Sequence, residues 1–160
     1  MLVESWRAAY TGIIADEYLA ALSVDAQEQR WRKRLQGPQP PIVLVACDDK
    51  ESIVGFVAGG AIRQAHDDFD GELYAIYLVP AVQRRRLGRR LLVEWAALAT
   101  SSGFRSALVR VLSANPARAF YERSGARLLR EASIELGGVV YPETWYGWPA
   151  LDTVTVLTTS

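Results

Sequence analysis

The segment "VPAVQRRRLGRRLL", Val79 to Leu92, gathers Gln83 and five arginines into one short stretch. Pro80 ends a strand-like run, and from Leu87 the apolar residues take helical spacing. A turn that opens a helix leaves several backbone N–H groups unpaired and aimed at one point, with the positive end of the helix dipole behind them. Such a point attracts phosphate. The guanidinium forks of Arg84, Arg85, Arg86, Arg89 and Arg90 suit a diphosphate or a ribose phosphate. The competing reading of the same run is a solvated helix face.

Composition narrows the partner. Eighteen Lys and Arg balance eighteen Asp and Glu in 160 residues, so the arginine cluster is a local device and its partner should be small. A nucleic-acid-binding role for "QRRRLGRR" competes, but neutral net charge and the lack of interleaved aromatics argue against it. Cys47 is the single cysteine, which excludes an internal disulfide and fits a reducing compartment, with the cytoplasm expected. No apolar run nears the ~18 residues needed to span a bilayer, so no membrane role is expected.

The elements that must position the turn read in order. Trp6, Ala9 and Tyr10 make one helical face, Asp16 can cap a short helix through Leu22, and Ser23 can cap another through Leu35. "GPQPP" connects them to a predicted hairpin with strands near Ile42–Cys47 and Ile53–Gln64. "AHDDFDG" reads as an exposed polar loop. "ELYAIYLVP" reads as a central strand, apolar on both faces. A helix from Leu87 stops at Gly103, and "FRSALVRVL" gives a strand. "NPARAFYERSG" gives a short helix, "ARLLREASIEL" a strand, and "GGVVYPETWYGWPAL" with "TVTVLTT" one or two final strands. The sum is one α/β domain with a mixed, mostly antiparallel sheet flanked by helices.

Val79, Pro80 and Gln83 to Gly88, followed by Leu91 and Leu92, resemble the cofactor loop of the GNAT superfamily of N-acetyltransferases. Arg86 stands where that loop has its middle glycine, which raises two outcomes: the side chain crowds the pyrophosphate, or it turns outward and adds a charged contact. "NPARAFYERSGA", Asn115 to Ala126, resembles the family's second motif. The resemblance covers about Trp6 to Trp148. It implies a single GNAT-like domain over 1–160, with a helical opening at 1–36, a sheet and cofactor-binding core at 42–130, and C-terminal strands at 131–160. Family members begin with a β-strand before the first helix, and that strand is missing here. "TVTVLTT" is the candidate to cover the sheet edge it would leave, and an edge left open would make a homodimer plausible.

The resemblance further implies acetyl-CoA as cofactor and a small-molecule or peptide amine as acceptor. Leu78, Val79, Gln83, Arg84, Arg85, Arg86, Leu87, Gly88, Arg89, Asn115 and Tyr121 are then its contacts. Tyr121 would be the general acid that protonates the departing thiolate, against a plain core role. Glu72, eleven residues before Gln83, would be the base, against a merely solvated carboxylate. Amides near Ile76 and Leu78 would hold the developing oxyanion. A non-catalytic acyl-CoA-sensing module is the alternative, favoured by Arg86 and the missing strand. His66 reads as a loop residue, Cys47 as buried and inert, and no metal is expected. Antibiotic, polyamine, amino acid and protein N-terminus all remain open as acceptors.

Overall fold

The computed structural model describes residues 1–66 and 68–156. Its six strands are β1 (Ile42–Cys47), β2 (Ile53–His66), β3 (Phe69–Leu78), β4 (Ala107–Leu112), β5 (Arg127–Leu136) and β6 (Val139–Trp148), ordered β1-β2-β3-β4-β6-β5 in one sheet. β3 and β4 run parallel and every other neighbouring pair is antiparallel. The β1–β2 hairpin closes on Asp48, whose carboxylate accepts from the N–H groups of Lys50 and Ser52, both at 2.9 Å. The sequence "DDKE" supplies that local acceptor.

The sheet carries a different set of helices on each face. α4 (Leu87–Ser101) buries Leu91, Leu92, Trp95, Ala96 and Ala99 against Val57, Leu73 and Val109, and Gly103 ends it at φ +99°. On the opposite face α1 (Leu2–Tyr10) and α2 (Asp16–Ala20) seal Tyr10, Ile14 and Leu19 over Leu112. α3 (Val24–Leu35) starts where the Ser23 hydroxyl accepts from Ala26 N–H at 3.3 Å, the expected cap. α2, by contrast, begins from Ala15 without a side-chain cap. α5 (Arg118–Arg123) follows β4 and leads to β5.

Three expectations are corrected. Asp152–Val156 form a helix, α6, and no strand: Leu151 and Val154 are buried in the core that α4 shares, so packing overrides the β-branched composition. Among the described residues the segment therefore does not cover the edge of β1, and residues 157–160 of the same expectation lie outside the described residues. Cys47 is exposed, because Ile42, Leu44 and Ala46 take the core side of an edge strand and alternation turns Val45 and Cys47 away. His66 ends β2 instead of sitting in a loop, its ring 5.2 Å from that of Phe69.

Candidate active site

The parallel pairing of β3 with β4 spans only Gly71–Leu73 against Ala107–Val109, after which the strands part. Asp70 fastens the root of the split. Its carboxylate accepts from Arg105 N–H at 3.0 Å, from Ser106 N–H at 2.9 Å and from the Ser106 hydroxyl at 3.0 Å. Burial opposes the charge, yet these bonds win and hold the carboxyl below its ordinary range. Tyr74 is the extra residue of a bulge, since Ala58 pairs with Ala75 and Gly59 with Leu73. A cleft of about 860 Å³ opens where the strands diverge. Its walls are β3 from Tyr74 to Leu78, Val109 to Val111 of β4, the arginine turn, the start of α5, and Ser5, Ala8 and Ala9 of α1.

The turn has the form its sequence implies. None of the N–H groups from Arg84 to Arg89 has a main-chain partner among the described residues, while Arg90 N–H returns to Arg86 at 3.0 Å. Arg84 and Arg86 both take φ +62°, and Arg86 caps α4 in the left-handed region. That is the conformation a glycine supplies without strain. Arg86 is exposed and lines the cleft. A Cβ on Gly88 would come into ordinary contact with Leu78 at 3.4 Å and Phe120 at 3.6 Å, both lining residues. Leu78, Gln83, Arg84, Arg86, Gly88, Arg89, Asn115 and Tyr121 all line the cleft, whereas Val79, Arg85 and Leu87 do not. Val79 N–H is spent on Val54 at 2.9 Å. By alternation the N–H groups of Ile76 and Leu78 then face the gap beside β4.

Tyr121 lies at the heart of the cleft, 6 % exposed, its ring edge-on to Trp148 at 6.1 Å. Burial pushes its phenol far above the ordinary range, with Tyr10 adding to the effect. Tyr10 and Tyr77 approach hydroxyl to hydroxyl at 3.2 Å, and Asn115 donates its amide to Tyr10 at 3.3 Å. The Asn115 side-chain oxygen accepts from Ala117 N–H at 2.9 Å, fixing the approach to α5.

Glu72 is not brought to the cleft. It is fully buried, one oxygen accepting from Arg63 N–H at 2.9 Å and the other ion-paired with the Arg63 guanidinium at 2.5 Å. Both carboxylate oxygens are thus engaged by Arg63. The cleft residues that sequence reasoning passed over include Tyr74, Tyr77, Arg110 and Arg123. Arg110 had a signal, being the charge at the centre of the apolar strand "ALVRVL".

The model of the acetyltransferase (GNAT) family matches residues 2–126. The chain belongs to the GNAT family. A curated relative, the uncharacterized N-acetyltransferase YuaI of Bacillus subtilis strain 168, is 39% identical over 156 residues, covering 97% of this chain and 87% of its own. Among solved structures, PaiA N-acetyltransferase from Thermoplasma acidophilum, in complex with coenzyme A, superposes with a TM-score of 0.67 at 22% identity, covering 89% of each chain. A GNAT phosphinothricin acetyltransferase from Sinorhizobium meliloti, in complex with AcCoA, gives 0.68 at 21%, covering 93% of this chain and 81% of that one. As a GNAT acetyltransferase this chain uses acetyl-CoA as cosubstrate, and the free N–H groups and arginines of the turn suit its phosphates.

Proposed function

We propose that this GNAT acetyltransferase moves an acetyl group from acetyl-CoA to a primary amine by direct attack, with Tyr121 as the proton donor. Acetyl-CoA, when bound, supplies an activated thioester carbonyl. Gln83, Arg84, Arg86, Gly88 and Arg89 would hold its phosphates, and Leu78 and Asn115 would line the path of its arm. The Ile76 and Leu78 N–H groups would stabilise negative charge on the carbonyl oxygen. Tyr121 keeps its proton at neutral pH and would give it to the departing sulfur. The observation that carries the reading is this buried phenol in the same cleft as a turn of free N–H groups.

No Asp, Glu or His lines the cleft among the described residues, and Glu72 is engaged elsewhere. The amine would therefore lose its proton to water, and the rate would rise with pH as more free amine is present. The same cleft supports a small amine over nucleic acid as partner. We place the enzyme in the cytoplasm on its single thiol, and among the described residues no helix is long and apolar enough to cross a membrane. The edge of β1, unpaired among the described residues and with Val45 exposed, would be the place for a second copy to pair, which sedimentation would test.

The decisive experiment incubates the protein with acetyl-CoA and a panel of amines. Amine-dependent thiol release and an N-acetylated product by mass spectrometry are expected. CoA binding with no amine-dependent release would favour the sensing module instead.

A further inference from the structure

The cleft is lined by five arginines and by no carboxylate among the described residues. Arg84, Arg86 and Arg89 stand at the turn proposed above for the cofactor phosphates, and Arg123 stands beside it on α5. Arg110 stands apart. Val109 and Val111 of β4 lie in the core under α4, while Leu108 and Leu112 lie in the clusters on the opposite face. Alternation puts Arg110 on that opposite face, so the sheet separates it from the α4 side.

Arg110 is also held in place. Its Nε donates to Glu143 at 2.8 Å, and its guanidinium carbon is 4.9 Å from the centre of the Trp145 ring. Trp145 Nε1 donates to the same Glu143 oxygen at 2.6 Å. The Glu143 side chain is 4% exposed and that of Arg110 23%, so the acid lies beneath an arginine that lines the cleft. Its two terminal nitrogens make no hydrogen bond to any described residue, and they form the edge that grips a carboxylate in bidentate fashion. Arg63 and Glu72 repeat the arrangement one wall over: the acid is fully buried, the arginine 44% exposed, and its guanidinium carbon is 4.6 Å from the centre of the ring of cleft-lining Tyr74. Arg110 thus presents positive charge to the cleft over a buried acid, with the Arg63 pair behind the Tyr74 wall adding to the field, which opposes a polycationic amine and favours an anionic one.

We propose that the acceptor is an amino-acid-like small molecule whose carboxylate, or an equivalent anion, is bound by Arg110; this rests on the N-acetyltransferase reading above. The test is calorimetry on the CoA-saturated protein with glycine, methionine, phenylalanine and glutamate, each against its carboxamide, and with spermidine as an amine without an anion. At least one amino acid should bind about tenfold or more tightly than its amide, the scale of a charge-assisted contact, with spermidine weakest. The double variant Arg110→Gln/Glu143→Gln removes both charges together and so avoids a stranded buried carboxylate. It should bind CoA as before and lose the acid-over-amide preference. Amides or spermidine binding as well as the acids, no binding by any acid, or a preference that survives the double variant would each overturn the assignment. Thiol release on the same panel separates the two readings. Turnover of spermidine and amides but not of acids removes carboxylate recognition and leaves the transferase. A binding preference abolished by the double variant, with no turnover of any amine, upholds Arg110 as the anion site and removes the transferase.

Discussion

The hydroxyl of Tyr10, on α1, lies 3.2 Å from that of Tyr77, on β3, at the place where β3 has left β4. With Asn115 also donating to Tyr10, one phenol ties the helical wall of the cleft to β3 and to the turn that follows β4. Tyr10→Phe leaves the Tyr77 hydroxyl and the Asn115 amide short of a partner in a buried place, a loss of about 1–2 kcal/mol. We expect a lower denaturant midpoint with an unchanged slope, together with a raised KM for the amine. Unaltered stability and KM would show that the three groups merely touch.

Arg86 holds φ +62° at the cap of α4, which costs a residue with a Cβ roughly 1 kcal/mol or more. Arg86→Gly should relieve it and raise Tm by about 2–4 °C for a chain of this size. CoA affinity should fall about 3- to 10-fold as a charged contact is lost. Arg86→Ala should lose the same affinity without the gain in Tm. If affinity is untouched in both variants, the side chain is only tolerated by the loop.

How much of this was legible depends on how local each signal is. The turn at Gln83–Arg90 was readable because Pro80, the helical spacing from Leu87 and the charges all lie within one segment. Tyr121 was readable from the motif that contains it, although its depth of burial was not. Glu72 was misjudged since distance from Gln83 along the chain says nothing of Arg63, which reaches it only through the pairing of β2 with β3. The helix at Asp152–Val156 escaped for a similar reason: its alternating β-branched residues look like a strand until Val154 meets α4. Arg110 needed both Glu143 and Trp145, 33 or more residues away, to become a fixed cation.

Asp70 makes the fold depend on pH in a calculable direction. Its pKa is lowered in the folded chain, so the carboxylate contributes stability above the ordinary Asp value near ~3.9 and loses it as pH falls through the folded value. Asp70→Asn keeps the shape but weakens the clasp on Arg105 and Ser106, and we expect a loss of about 1–2 kcal/mol at pH 7. The difference from wild type should shrink towards pH 3 in a series of melts. A constant difference across that range would assign the effect to packing and not to charge.

Tyr121 carries the claim of catalysis, and its raised pKa sharpens the test. A phenol that burial holds protonated cannot lose its acid function as pH rises through the range where ordinary tyrosines ionise. Wild-type kcat should therefore climb with the free-amine fraction and show no alkaline fall below about pH 10. Tyr121→Phe keeps the ring against Trp148 and removes only the hydroxyl, so CoA affinity and Tm at pH 7 should stay near wild type while kcat drops by about 10²-fold or more. Stability gives a second readout of the same group. Since the folded pKa lies above the unfolded one, the phenol's contribution is present below about pH 10 and is lost as pH rises towards the folded value, so wild-type Tm should fall more steeply at alkaline pH than that of Tyr121→Phe. Full turnover by Tyr121→Phe would hand the proton transfer to water, and a collapse of Tm at pH 7 with kcat per folded molecule unchanged would make Tyr121 a core residue.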